Sequence, residues 1–221
     1  MNPQHSVKIK VCGMTEIEQV RQLEAWGVDY AGFIFYEKSP RYAAGKLSPD
    51  ELKQLTGIHK TGVFVDADYD VVLQTADAYS LNAVQLHGDE TADFCKRVSS
   101  YIKTIKAFRV TGEENLQSLV DDYQDAVDYF LFDTRADGYG GTGKKFNWNI
   151  LKQVAVGRPY FLSGGIGPDD APLINDFISE SRNELYAIDL NSKFETAPGV
   201  KDLSILKIFL DEIKADQDDH L

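Results

Sequence analysis

Cysteine is scarce: Cys12 and Cys95 are the only two, far apart in the chain. Two cysteines build no disulfide framework, and in a reducing compartment both stay thiols. The four histidines, His5, His59, His87 and His220, show no ligand spacing such as His-x-x-x-His, which argues against a structural zinc site. No apolar run approaches the roughly 20 residues that cross a bilayer. The polar start MNPQHSVKIK lacks the apolar stretch of a signal peptide. The expectation is a cytoplasmic protein that meets no membrane. Bases are short too: 23 Lys and Arg face 35 Asp and Glu, a formal charge of -12. A field of that sign repels polyanions and disfavours nonspecific binding to nucleic acid. Any phosphate must then be held locally.

What is present is ordinary globular material, 43% hydrophobic and 26% charged over 221 residues, enough for one large domain or two small ones. Eight short β-rich runs recur: 8–12, 30–35, 61–65, 83–86, 102–107, 129–132, 160–162 and 186–190. Between them lie eight stretches with helical spacing or helix-start signals. Thr15 with Glu18 three residues on reads as a capping box, and Ser48-Pro49-Asp50-Glu51 places Pro49 at a first helical position with acids in the first turn. Several strands are apolar on both sides of the pleat, as in a parallel sheet covered by helices. An open doubly wound sheet shares this alternation. Eight regular βα units without a linker or a composition break favour one domain over residues 1–221, a single-domain α/β protein of the closed (β/α)8 TIM barrel type.

Chemistry in that fold gathers past the C-terminal ends of the strands. Those ends carry Cys12, Arg41, His87, Asp133, Ser163-Gly164-Gly165 and Asp189-Leu190-Asn191-Ser192. Read alone, Cys12 is equally a small buried hydrophobe, Asp133 a loop or cap aspartate, and Arg41 a solvated arginine. His87 could cap a strand end, Asp189 could be a structural acid, and the paired glycines could make only a tight turn. As chemistry, a thiol with a lowered pKa serves as a base. A carboxyl leaving the apolar run Tyr129-Phe130-Leu131-Phe132 would be raised by burial toward the acid form. Backbone N–H groups of Gly164, Gly165, Asn191 and Ser192 would hold phosphate without a net positive field. The stretch Gly138–Lys145 nearly fits a P-loop, but Lys145 stands where the magnesium-binding hydroxyl belongs, so a nucleotide-hydrolysing reading fails.

The segments KIKVCGMT, GFIFYEKSPRY, GVFVDA, AVQLHGDE, LFDT with GGTGKKFNW, LSGGI and AIDLNSKFETAPGVKD run in order along nearly the whole chain. Together they resemble the phosphoribosylanthranilate isomerase family of tryptophan biosynthesis. The resemblance implies a barrel enzyme without cofactor or metal. Its substrate would be a small phosphosugar, N-(5-phosphoribosyl)anthranilate, converted to the deoxyribulose isomer by an Amadori rearrangement. It assigns Cys12 as general base and Asp133 as general acid. Arg41, His87 and Asp189 match substrate-pocket positions, with Arg41 facing the anthranilate carboxylate or nearby substrate, and Gly138–Lys145 matches a lid. Lys193 departs from the pattern, which commonly has a small residue or glycine there. Two rivals stay open: a barrel acting on another phosphosugar, and a silent phosphate-binding module. Leu203, Leu206, Phe209 and Leu210 read as barrel packing rather than a dimer surface, so a monomer is expected.

Overall fold

The computed structural model describes residues 6–111, 115–134, 147–181 and 184–219, with side chains through residue 215. Eight parallel strands close on themselves in sequence order. They are β1 (Lys8–Val11), β2 (Tyr30–Ile34), β3 (His59–Phe64), β4 (Ala83–Leu86), β5 (Lys103–Val110), β6 (Tyr129–Thr134), β7 (Tyr160–Leu162) and β8 (Leu185–Leu190). The chain is thus a (β/α)8 barrel, and the open-sheet alternative falls because β1 pairs with β8 along its whole length, from Lys8 opposite Ala187 to Val11 opposite Leu190.

Six α-helices alternate with the strands: α1 (Ile17–Ala25), α2 (Pro49–Lys53), α3 (Tyr69–Ala78), α4 (Ala92–Ser99), α5 (Leu116–Tyr123) and α6 (Ala171–Glu180). The long α7 (Leu203–Asp219) ends the described chain, and a 3₁₀ helix, Trp148–Gln153, follows β6. The α2 capping box forms as expected, with Ser48 and Glu51 bonded reciprocally. The one expected at Thr15 does not. Residue Glu16 occupies the N-cap without a side-chain bond, Glu18 pairs with Arg21, and the Thr15 hydroxyl donates instead to the Gly199 carbonyl (2.7 Å). The helix starts one residue later than the box requires, with the Thr15 hydroxyl engaged by a distant acceptor.

That acceptor belongs to an unanticipated element, a short antiparallel hairpin of β9 (Glu195–Ala197) and β10 (Val200–Lys201). It turns at Pro198-Gly199, with Gly199 at φ +88°. Its β10 strand is fixed to α1 by a double bond. Lys201 N–H donates to Gln19 Oε1 (2.8 Å) and Gln19 Nε2 donates to the Lys201 carbonyl (3.0 Å).

The main core lies between the strands and the helices, where Val11, Phe33, Phe64, Phe130, Leu162 and Ile188 are buried. Because side chains alternate across a strand, the intervening residues line the barrel lumen. Its lower part is apolar, filled by Tyr30, Ile105, Ala107, Leu131, Phe161 and Ala187. Above them the lining turns polar with Lys10, Gln85 and Asp189, all buried. Among the described residues, no helix is long and apolar enough to cross a membrane.

Candidate active site

Every candidate site residue falls among the described ones except the stretch Gly138–Lys145, which lies outside them. Cys12 follows β1 directly, and its N–H donates to the Leu190 carbonyl of β8 (2.8 Å), so the thiol stands at the C-terminal rim. It has room only because β2 offers no side chain beside it. A Cβ on Gly32 would stand 2.7 Å from Cys12 Sγ.

Two residues earlier on the same face, Lys10 is fully enclosed and donates to Asp189 Oδ1 at 2.9 Å. The two are register partners across β1 and β8. Burial opposes the charge on Lys10, but Asp189 and Cys12 outweigh it and raise its pKa, so it is held as an ammonium. Burial pushes the Cys12 thiol up, against the pull of Lys10 and Lys201. The lowered thiol pKa expected of a base is therefore not that of the free site. Enclosure on all sides outweighs the two lysines.

Across the barrel mouth, β6 carries Asp133 past its last fully buried residue, Phe132. The deep burial expected for Asp133 does not occur, and 29% of its side chain is exposed. Oxygen Oδ2 lies 3.4 Å from His87 Nε2, and His87 Nδ1 meets Gln85 Nε2 at 2.8 Å. The two ring nitrogens of His87 thus face Gln85 on one side and Asp133 on the other. Strands β6 and β1 are three steps apart around the closed sheet, so thiol and carboxyl approach the mouth from different sides.

Arg41, in the loop after β2, turns one edge of its guanidinium onto Glu195. Nε donates to Oε1 (2.9 Å) and Nη2 to Oε2 (2.7 Å), the forked geometry that suits guanidinium and carboxylate. Lys201 Nζ reaches the same carboxylate at Oε1 (2.8 Å) and also Asn191 Oδ1 (2.9 Å). Although burial opposes it, Arg41 and Lys201 hold Glu195 below the usual carboxylate range. Sequence reasoning missed Lys10, Glu195 and Lys201. Only the Pro198-Gly199 turn hinted at the hairpin that brings the last two in.

The glycines after β7 and the turn after β8 form the remaining part. Gly164 and Gly165 adopt φ +92° and +72°. Asn191 opens the 3₁₀ turn Ser192–Phe194, with Ser192 and Lys193 exposed. Among the described residues, the N–H groups of Gly164, Gly165, Asn191 and Ser192 donate to no protein acceptor, so four neutral donors are unspent on this face. A Cβ on Gly164 would fall 2.4 Å from the Thr134 nitrogen and 2.3 Å from its Oγ1. Gly164→Ala therefore combines a clash with a left-handed strain of about 1–3 kcal/mol. It should lower stability by at least that amount in urea denaturation, whereas a replacement without measurable cost would mean that the loop repacks freely.

Three comparisons bear on this site. The family model described as N-(5'phosphoribosyl)anthranilate (PRA) isomerase matches residues 9–212. A protein of Phocaeicola vulgatus named N-(5'-phosphoribosyl)anthranilate isomerase is 42% identical over 208 residues, covering 93% of this chain and 97% of its own. Among solved structures, phosphoribosyl anthranilate isomerase from Thermotoga maritima is 33% identical with a TM-score of 0.81, over 95% of this chain and 99% of that one. A phosphoribosyl anthranilate isomerase solved in complex with reduced 1-(o-carboxyphenylamino)-1-deoxyribulose 5-phosphate is 31% identical. Its TM-score is 0.78, over the same shares of the two chains.

Proposed function

The chain belongs to the N-(5'-phosphoribosyl)anthranilate isomerase family of tryptophan biosynthesis, and from that premise we propose that it performs an Amadori rearrangement with Asp133 as general acid and Cys12 as general base. The observation that carries this reading is a carboxyl and an enclosed thiol on one rim of the barrel, three strands apart, beside four unspent backbone donors.

The chemistry needs two such groups. Asp133 gives its proton to the furanose ring oxygen as the bond from that oxygen to C1 breaks, leaving an iminium between C1 and the anthranilate nitrogen. The Cys12 thiolate then takes the C2 proton, and the electron pair moves into the C1–C2 bond to give an enolamine. In the collapse to the 2-ketone the Cys12 thiol gives its proton to C1 and the 2-hydroxyl proton passes to the Asp133 carboxylate, so both residues return to their starting forms with no net gain or loss. His87 orients Asp133, and Asp189 acts beside Cys12 through Lys10. Arg41, with one edge fixed by Glu195, receives the substrate carboxylate. The donors of Gly164, Gly165, Asn191 and Ser192 take the phosphate, which answers how an acidic protein holds an anion. The complex of the related isomerase with a reduced carboxyphenylamino-deoxyribulose phosphate supports a phosphosugar ligand of this class.

Turnover of N-(5-phosphoribosyl)anthranilate by the purified protein, with rescue of a tryptophan auxotroph lacking this step, tests the reading. Preference for a different aminosugar phosphate, or soluble expression without rescue, overturns it.

The pH dependence of kcat/KM should be bell-shaped, because activity needs thiolate and carboxylic acid together. Carboxyls as a class titrate about four units below thiols, and burial moves Cys12 further up. The reactive pattern is then the minority form, and the limbs exchange identity. The alkaline limb should follow Cys12 and fall above about pH 8.5. A profile that rises to a plateau there, without descending, would show that no second group must stay protonated.

A further inference from the structure

The mechanism leaves Lys201 without a role, yet this lysine is built in with unusual care. Its side chain is completely enclosed, and its backbone is clamped on both sides by Gln19. Its ammonium spends two of three N–H bonds on Asn191 and Glu195. Burying an ion costs several kcal/mol unless its partners answer the charge. Glu195 answers only in part, because its carboxylate also receives the fork of Arg41.

The charges around this point can be counted. Lys10 and Asp189 face Cys12 from β1 and β8, Lys201 from β10, and Glu195 and Arg41 stand behind Lys201. The neighbouring β2 presents Gly32, which carries no charge. Farther off, Asp133 and His87 influence Asp189 with opposite signs. The inner five comprise three cations and two anions. Cys12, on which Lys10, Asp189 and Lys201 act directly, is the ionisable group beside them that has no charge in its resting form.

We propose that Lys201 is a positioning residue for the base: it completes a buried cluster with one cation in excess, and the Cys12 thiolate is the anion that balances it. The proposal rests on the reading of Cys12 as the base. It explains how a thiol that burial pushes up is drawn back toward ionisation. It also explains why the hairpin carrying Lys201 is tied to the loop after β1 at Thr15 and to α1 at Gln19.

The test is a titration of the Cys12 thiol in the whole, ligand-free protein. The readout is the ultraviolet absorbance of the thiolate, taken as a difference from Cys12→Ser so that Cys95 cancels. Lys201→Gln keeps a donor for Asn191 and Glu195 but deletes the charge, and should move the titration upward by about 1–3 pH units. Lys201→Arg should restore it. Glu195→Gln removes an anion and should move the titration downward, an opposite sign that no loss of packing would produce. That variant decides the matter if Lys201→Gln fails to fold. Titrations unchanged in Lys201→Gln, or shifted alike in Lys201→Gln and Glu195→Gln, overturn the proposal. The first would mean that the substrate carboxylate, not the thiolate, completes the charge balance. A Cys12→Ser protein with near-normal turnover would instead sink the base assignment, and the thiol titrations would still judge Lys201.

Discussion

Asp133→Asn should lower kcat by about 10²- to 10⁴-fold, the usual contribution of a general acid, while KM changes far less. The amide matches the carboxyl in size and can keep its polar contact with His87 Nε2, which lies 3.4 Å away in the native site, so the side chain keeps its place. What it loses is the proton destined for the ring oxygen. In the proposed reading phosphate and carboxylate are held elsewhere, by the loops after β7 and β8 and by Arg41, so substrate and product should still bind. Steady-state kinetics with a parallel product-binding titration checks both halves. A variant that loses binding as steeply as turnover would turn Asp133 into a substrate ligand rather than an acid.

Cys12→Ser should cause a loss of the same order, about 10²- to 10⁴-fold in kcat, for a different reason. Serine fits the space that Gly32 leaves, but its hydroxyl does not ionise near neutrality, and the lysines that flank the thiol cannot make it do so. The competing view of Cys12 as a small packed hydrophobe makes the contrary forecast of a modest change in stability and almost none in rate. Thermal melting measured beside kcat separates the two. Near-normal kcat would leave the C2 proton without its acceptor.

Much of this architecture is legible in the sequence because it is local. The strand runs and their strict alternation with helical stretches give the barrel, with every strand end within three residues and the runs 83–86 and 160–162 matched at both ends. The strand ends name Cys12, His87, Asp133 and Asp189 because chemistry in this fold has one address. What escapes is whatever depends on partners far away in the chain. In Lys8-Ile9-Lys10-Val11-Cys12 the two lysines look alike. Only barrel closure makes Lys8 a rim residue paired with Asp29 and Lys10 a fully enclosed one paired with Asp189. Glu195 and Lys201 sit on strands of three and two residues, too short for periodicity to register. The Thr15-Glu18 spacing fits a capping box, yet the helix takes Glu16 as its N-cap and the Thr15 hydroxyl bonds a carbonyl 184 residues away. The apolar run before Asp133 points to burial, yet that run ends at Phe132 and the carboxyl stands in the mouth.

The clamp between the loop after β1 and the hairpin after β8 also ties reactivity to the order in which the molecule folds. The bonds that tie β1, its loop and α1 to β8 and the hairpin join residues separated by 179 to 184 positions, and such distant pairings come late because loop closure must precede them. A nascent chain that has completed β1 to β4 already contains Cys12 but neither Asp189 nor Lys201, so its thiol stands outside both the enclosure that pushes it up and most of the charges that the finished barrel gathers around it. The β8–β1 seam is what brings the thiol beside Asp189, and the thiol's titration is a reporter placed on it.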